Sequence, residues 1–139
     1  MADLSKFNGR YVCEKSENFE EYMKESGVGL LTRKAAANIK VTIEIKIEGN
    51  HFTCHQYSTF KNSVLEFDLD TEFEETTQDG RKMKSFVTFK DGKLVHTQKA
   101  QKSGDKDSTL TRYMEDDDHL TVICECGSVV CKRFYVREK

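Results

Sequence analysis

Two spacings of apolar residues divide this chain. From Val41 onward, apolar and polar side chains alternate with a period of two, which sends successive side chains to opposite faces of a strand. Val41-Thr42-Ile43-Glu44-Ile45-Lys46-Ile47 is the clearest run, and Glu48-Gly49-Asn50 turns it into a second over residues 51–58. Shorter runs follow at 64–67, 71–76, 83–89 and 94–98, with Asp79-Gly80 and Asp91-Gly92 as hairpin turns. The last three predicted strands carry Arg112, then Val122 with Cys124, then Arg133 with Tyr135. A helical spacing is confined to the region behind a short first strand at 8–13. Ser16 is placed to cap a helix over 17–24, where Phe19, Tyr22 and Met23 fall at i, i+3 and i+4. Gly27-Val28-Gly29 breaks it, and residues 30–38 form a second short helix. Counting the first, ten strands recur every eight to twelve residues or so. That rhythm predicts a mainly β fold, a ten-stranded antiparallel up-and-down barrel with a helix-turn-helix.

Composition sharpens this. The 139 residues suit one domain, taken over 1–139, and contain no proline, where average usage of roughly 5% would supply about seven. Turns therefore fall to Gly, Asn and Asp, as tight hairpins require. The net charge of −2, from 22 basic and 24 acidic residues, gives no reason to expect nucleic acid as a partner. Met1-Ala2-Asp3-Leu4-Ser5-Lys6 lacks the apolar run of a secretory signal, and no window approaches a membrane span. With five cysteines, an odd number, the expectation is reduced thiols in a cytoplasmic protein. Cys124-x-Cys126 lacks the spacer and second pair of a zinc site, so neither metal nor other cofactor is expected.

Chemistry enters with the faces. On the last strand Arg133 and Tyr135 share a face with Val129 and Cys131, making a paired donor site for an anion such as a carboxylate. By period alone the pair fits a solvated strand face more readily than an internal site. Arg112, however, falls on the apolar face of Leu110 and Met114, where a guanidinium is costly unless something anionic meets it. His96, Gln98 and Glu75 also fall on faces expected to point inward. In a dry core each would cost about 1–3 kcal/mol unpaired. A water-filled cavity removes that cost.

In the order of its parts the chain resembles the intracellular lipid-binding proteins, most of all the fatty acid-binding proteins of the heart, adipose and myelin type. The resemblance is carried by Asn18-Phe19-Glu20-Glu21-Tyr22-Met23 with Gly27-Val28-Gly29, by Ser58-Thr59-Phe60-Lys61-Asn62, and by Glu72-Phe73-Glu74-Glu75-Thr76-Thr77-Gln78-Asp79-Gly80-Arg81-Lys82. Lys93-Leu94-Val95-His96-Thr97-Gln98-Lys99 and Cys131-Lys132-Arg133-Phe134-Tyr135 complete it. It implies a clam-shaped barrel, and a monomeric, non-enzymatic carrier that holds one long-chain fatty acid in a wet cavity. Arg133 and Tyr135 would bind the carboxylate directly, with Arg112 assisting through water. Phe19, Tyr22 and Met23 would lean over the acyl chain. A portal would be built from the second helix and the turn around Phe60, with Asp79 and Arg81 near it.

The chain departs from the family pattern at Tyr11 and Ala100, where tryptophan is usual, and at Val41, where proline is usual. The loop around Gly104 is also longer. A retinoic acid carrier is the alternative ligand class, since that branch uses two arginines and a tyrosine as well. A membrane-stacking role fits less well, because bridging anionic bilayers favours a strongly basic protein. Lys24, Arg33 and Lys34 read as a solvated helix face, or as a surface for transient contact with anionic membranes. Some family members expose such a trio as a ligand-controlled nuclear import signal.

Overall fold

The computed structural model describes residues 4–37, 39–59, 62–77 and 80–138. A 3-10 turn at Leu4–Phe7 leads into strand β1 (Gly9–Glu17), helix α1 (Phe19–Glu25) and helix α2 (Leu30–Ala37). Then come β2 (Thr42–Glu48), β3 (His51–Tyr57), β4 (Ser63–Asp68), β5 (Phe73–Thr76) and β6 (Lys82–Lys90). β7 (Lys93–Ala100), β8 (Ser108–Met114), β9 (His119–Cys126) and β10 (Val129–Arg137) complete the chain. All pair antiparallel in one ten-stranded sheet of order β4-β3-β2-β1-β10-β9-β8-β7-β6-β5. This is the predicted meander, and the first and last strands lie side by side.

Local chemistry explains the tight connections. Asp91 and Gly92 both take positive φ, 53° and 79°, and Lys90 pairs with Lys93 across them. Two residues of that conformation match the right-handed twist of the flanking strands. The curled sheet has two end strands, β4 and β5, which share no ladder. Aromatic rings span the seam between them. Phe67 on β4 stacks on Phe73 of β5 at 5.1 Å between centroids, and on Phe52 of β3 at 4.5 Å. Along the connection from β4 to β5, the amides of Leu69 and Asp70 donate to the carbonyls of Asn50 and Val87, each at 2.8 Å.

The first strand departs from its expected length. It continues to Glu17 rather than ending at Cys13, and its ladder to β10 shifts register between Cys13 and Lys15. Beyond the shift Ser16 pairs with Arg133, so Ser16 is a strand residue and not the helix cap. The physical reason is tertiary: β10 offers a ladder of backbone partners that outweighs one side-chain cap. Asn18 takes the position before α1 at φ 60°, makes no cap with its side chain, and donates its amide to the Val130 carbonyl at 3.1 Å. α1 then packs against β9, β10 and α2.

The core is continuous around the inside of the sheet. Phe7, Tyr11, Ile45, Phe52, Leu94 and Leu120 are essentially inaccessible to solvent. Tyr11 donates its hydroxyl to the Phe7 carbonyl at 3.0 Å, and Phe7 meets Phe89 edge-on at 6.3 Å. Arg137 donates to the carbonyls of Asn8 and Lys6 and to the Tyr11 hydroxyl. The 3-10 turn is thus tied to the last strand. No described helix is long and apolar enough to cross a membrane.

Candidate functional site

β10 turns both expected headgroup residues inward. Tyr135 is buried, and the Arg133 guanidinium carbon sits 5.8 Å from its ring centroid and 4.1 Å from that of Phe19 on α1. The β1 extension supplies partners that no sequence pattern announced. Arg133 donates through Nε to Ser16 Oγ at 3.1 Å, and through Nη2 toward Cys13 Sγ at 3.8 Å. Burial disfavours the charged guanidinium, but Tyr135 and the thiols of Cys13, Cys124 and Cys131 outweigh it, and its pKa rises. Burial pushes the Tyr135 phenol up to about 12, against the opposing pull of Arg133. At neutral pH the pair is therefore a cation beside an un-ionised hydroxyl donor. Among the described residues, no carboxylate lies within ion-pair distance of either Arg133 or Arg112.

A cavity of about 250 Å³ lies between the sheet and the helix pair. Phe19, Tyr22 and Met23 line it from α1, Thr32 and Ala36 from α2, and Arg81 from the connection between β5 and β6. Arg133, Glu75, Gln98 and Cys124 reach it from the sheet; Arg112 and Tyr135 are not among its lining residues. Burial lifts the Tyr22 hydroxyl to about 12, so it too stays protonated. The family model for the lipocalin / cytosolic fatty-acid binding protein family matches residues 8–138.

The chain belongs to that family. It is 58% identical over 132 residues to a Caenorhabditis elegans protein named fatty acid-binding protein homolog 6, covering 95% of this chain and 97% of that one. The crystal structure of apo lipid binding protein 8 from the same organism superposes with a TM-score of 0.95 at 42% identity, over 99% of each chain. A Schistosoma mansoni fatty acid binding protein solved in complex with arachidonic acid gives a TM-score of 0.88 at 31% identity, over 98% of each chain.

Within this lipocalin-family barrel, the inward polar residues form one hydrogen-bonded chain. The Glu75 carboxylate accepts from Ser85 Oγ at 2.8 Å and His96 Nε2 at 2.9 Å through one oxygen. Its other oxygen accepts from Gln98 Nε2 at 3.1 Å. The opposite ring nitrogen of His96, Nδ1, lies 3.2 Å from Arg112 Nη1. Arg112 also lies 5.9 Å above the Phe52 ring. Burial alone would raise the Glu75 pKa, but these donors hold it down at about 2. Burial pushes His96 the other way, below its ordinary value, with Glu75 opposing and Arg112 assisting.

The partners themselves dictate the imidazole's state. Arginine can only donate and a carboxylate can only accept, so Nδ1 must be bare and Nε2 must carry the proton. His96 is neutral. Alternation along each strand placed Glu75, His96, Gln98 and Arg112 inward, but their union depends on three different strands. Ser85 was not anticipated, although it sits opposite Phe73 in the ladder, two residues before Glu75.

Other expected residues fall elsewhere. Phe60 and Asp79 lie outside the described residues. Lys24 and Lys34 are exposed, but Arg33 is half-buried and turns back to donate to the Val28 carbonyl at 2.6 Å. The expected basic trio is thus two exposed lysines and an arginine that ties α2 to the preceding loop. Beside them Leu30 and Leu31 are 53% and 84% exposed, an apolar feature that the basic pattern had obscured.

Proposed function

We propose that this chain is a monomeric, non-enzymatic carrier of one long-chain fatty acid, acting in the cytoplasm. The observation that carries the reading is the Arg133 guanidinium: it lines the cavity near un-ionised Tyr135, and no carboxylate of the described residues lies within ion-pair distance of it. A buried cation of that kind is stabilised when an anionic ligand meets it. The ligand's carboxylate takes charge-assisted hydrogen bonds from Arg133 and the Tyr135 hydroxyl, and Arg112 assists through water. The acyl chain lies against Phe19, Tyr22 and Met23. The family, and relatives named for fatty acids, support the same assignment.

The energetics are plausible for a reversible carrier. About 0.8 kcal/mol per buried methylene gives a chain with roughly fourteen of them about 11 kcal/mol gross. Lost translational freedom and chain ordering offset several kcal/mol of that. The headgroup contacts then set specificity, because a neutral alcohol cannot reproduce the charged pair. The portal lies beside α2 and Arg81. Contact with anionic membranes runs through the exposed lysines Lys24 and Lys34, with Arg33 bracing α2.

Native mass spectrometry of delipidated protein titrated with oleate tests this. The expected result is one bound oleate per chain, extracted chemically unchanged after incubation. Absence of any bound fatty acid, or recovery of a converted product, overturns the reading.

A further inference from the structure

Among the described strand residues, the guanidiniums of Arg112 and Arg133 face inward, and a doubly charged headgroup would match the pair. The Glu75 carboxylate faces inward as well. Glu75 is joined to Arg112 across a single imidazole ring, by contacts of 2.9 Å and 3.2 Å on the two sides of His96. Because His96 is neutral, it transmits polarity without adding charge. Arg112, His96 and Glu75 together sum to zero, so of the two inward strand guanidiniums only Arg133 keeps its charge uncompensated for a ligand, beside Arg81 on the connection between β5 and β6.

The choice of glutamate over glutamine is informative. A glutamine carbonyl could accept from Ser85 and His96 equally well, and the Gln98 amide could turn over to accept from its NH₂ group. The hydrogen bonds therefore do not require a charge, and a buried charge is expensive to keep. What glutamate adds is the negative charge itself, held ionised by three donors.

We propose that Glu75, acting on Arg112 through neutral His96, sets the charge of the headgroup this cavity accepts. A singly charged head is held, and a doubly charged head on the same chain is turned away. Glu75 is thus a specificity-determining residue that need not touch the ligand. The inference rests on the carrier reading above and deepens it. Arg81 also lines the cavity, but its charge is common to every protein compared below and cancels when the ratio of a variant is divided by that of the wild type.

The test is isothermal titration at pH 8 with three twelve-carbon probes: dodecanoate, dodecyl phosphate and methyl dodecyl phosphate. With a second phosphate pKa near 6, dodecyl phosphate carries two charges at that pH, while its methyl ester carries one on the same tetrahedral head. The wild type is expected to hold the methyl ester roughly tenfold or more tightly than dodecyl phosphate, the size of a unit charge acting across one side chain in a partly buried site. Glu75→Gln is expected to move that ratio roughly tenfold toward dodecyl phosphate. The double variant Glu75→Gln/Arg112→Gln returns the net charge to its original value and is expected to restore the preference, which loss of packing alone would not do.

If the wild type binds the two phosphates equally, or if Glu75→Gln leaves their ratio unchanged while dodecanoate still binds, the proposal is wrong and the carrier reading survives. If the wild type binds none of the three, dodecanoate included, both fall together. Should Glu75→Gln fail to fold, the wild-type comparison of phosphate with methyl ester decides the matter alone.

Discussion

The guanidinium carbon of Arg133 lies 4.1 Å from the ring centroid of Phe19, so the charged end of the cavity is also the underside of its helical cover. β10 supplies the cation and α1 supplies the ring. Cation–π contacts in partly desolvated sites contribute about 0.5–2 kcal/mol. Phe19→Leu keeps apolar bulk and removes the ring face. Fatty acid affinity is expected to fall roughly three- to tenfold, and Arg133→Gln should cost roughly ten- to a hundredfold because hydrogen bonds to charged groups are stronger. A fatty alcohol of equal length should be nearly indifferent to Arg133→Gln. Equal losses for acid and alcohol in a displacement titration would mean that Arg133 serves the fold rather than the headgroup.

The buried polar chain predicts acid sensitivity with a definite sign. His96 is neutral in the fold and its pKa lies below the ordinary 6.5, so the unfolded chain takes up its proton first as pH falls. Its contribution is whole above pH 6.5 and is lost as pH falls through the lowered folded value. Glu75 titrates at about 2 in the fold against 4.5 ordinarily, so its contribution is whole above pH 4.5 and is lost between there and about 2. His51 and His119 act in the opposite sense: contacts to Asp68 and to Asp116 raise their pKa values, adding stability that fades as pH rises. Comparison with single variants isolates the inner groups. Denaturant unfolding of wild type and His96→Gln should show a stability difference that shifts against the wild type from pH 6.5 downward. A difference independent of pH over that range would contradict the neutral imidazole.

The β4–β5 seam depends on side chains instead of a ladder. Phe67 contacts both Phe52 and Phe73 and is 4% exposed, so truncation removes the middle ring of the stack. Phe67→Ala is expected to cost about 3–5 kcal/mol in urea unfolding. Hydrogen exchange should rise first in β4 and β5, whose outer edges have no strand partner. Uniform acceleration across the sheet would place the seam's stability elsewhere.

Leu30 and Leu31 project from α2 next to Lys34, which suits contact with an anionic lipid surface. Fatty acid transfer to vesicles is expected to quicken with anionic lipid and slow with added salt. Leu31→Gln and Lys34→Glu should each slow it several-fold without altering affinity for the fatty acid. Transfer that ignores vesicle charge, salt and both substitutions would indicate release into water before delivery.

Much of this architecture was written in periodicity. A period of two has only two faces, so His96 and Gln98 could be assigned inward as soon as Leu94 was, and Arg112 as soon as Leu110 was. Asp91-Gly92 announced its hairpin because few residues other than Gly, Asn and Asp tolerate positive φ. Element boundaries were less legible. The first strand was underestimated because its second half pairs with a strand more than a hundred residues away, as the Ser16–Arg133 ladder position records. Ser16 looks like a cap in isolation, and only the presence of β10 makes it a strand residue.

Taken alone, the order of residues determined the number of strands, their antiparallel succession, the helix pair and the faces on which the charged groups stand. Each follows from backbone geometry that repeats within a few residues. Tertiary structure decided how those faces meet: Phe67 against Phe73 across an unpaired seam, Phe19 over Arg133, and His96 between Glu75 and Arg112. Those contacts join residues 21 and 16 positions apart in the last case, on three separate strands. Alternation orients a side chain, but the register and curvature of the curled sheet select its neighbour.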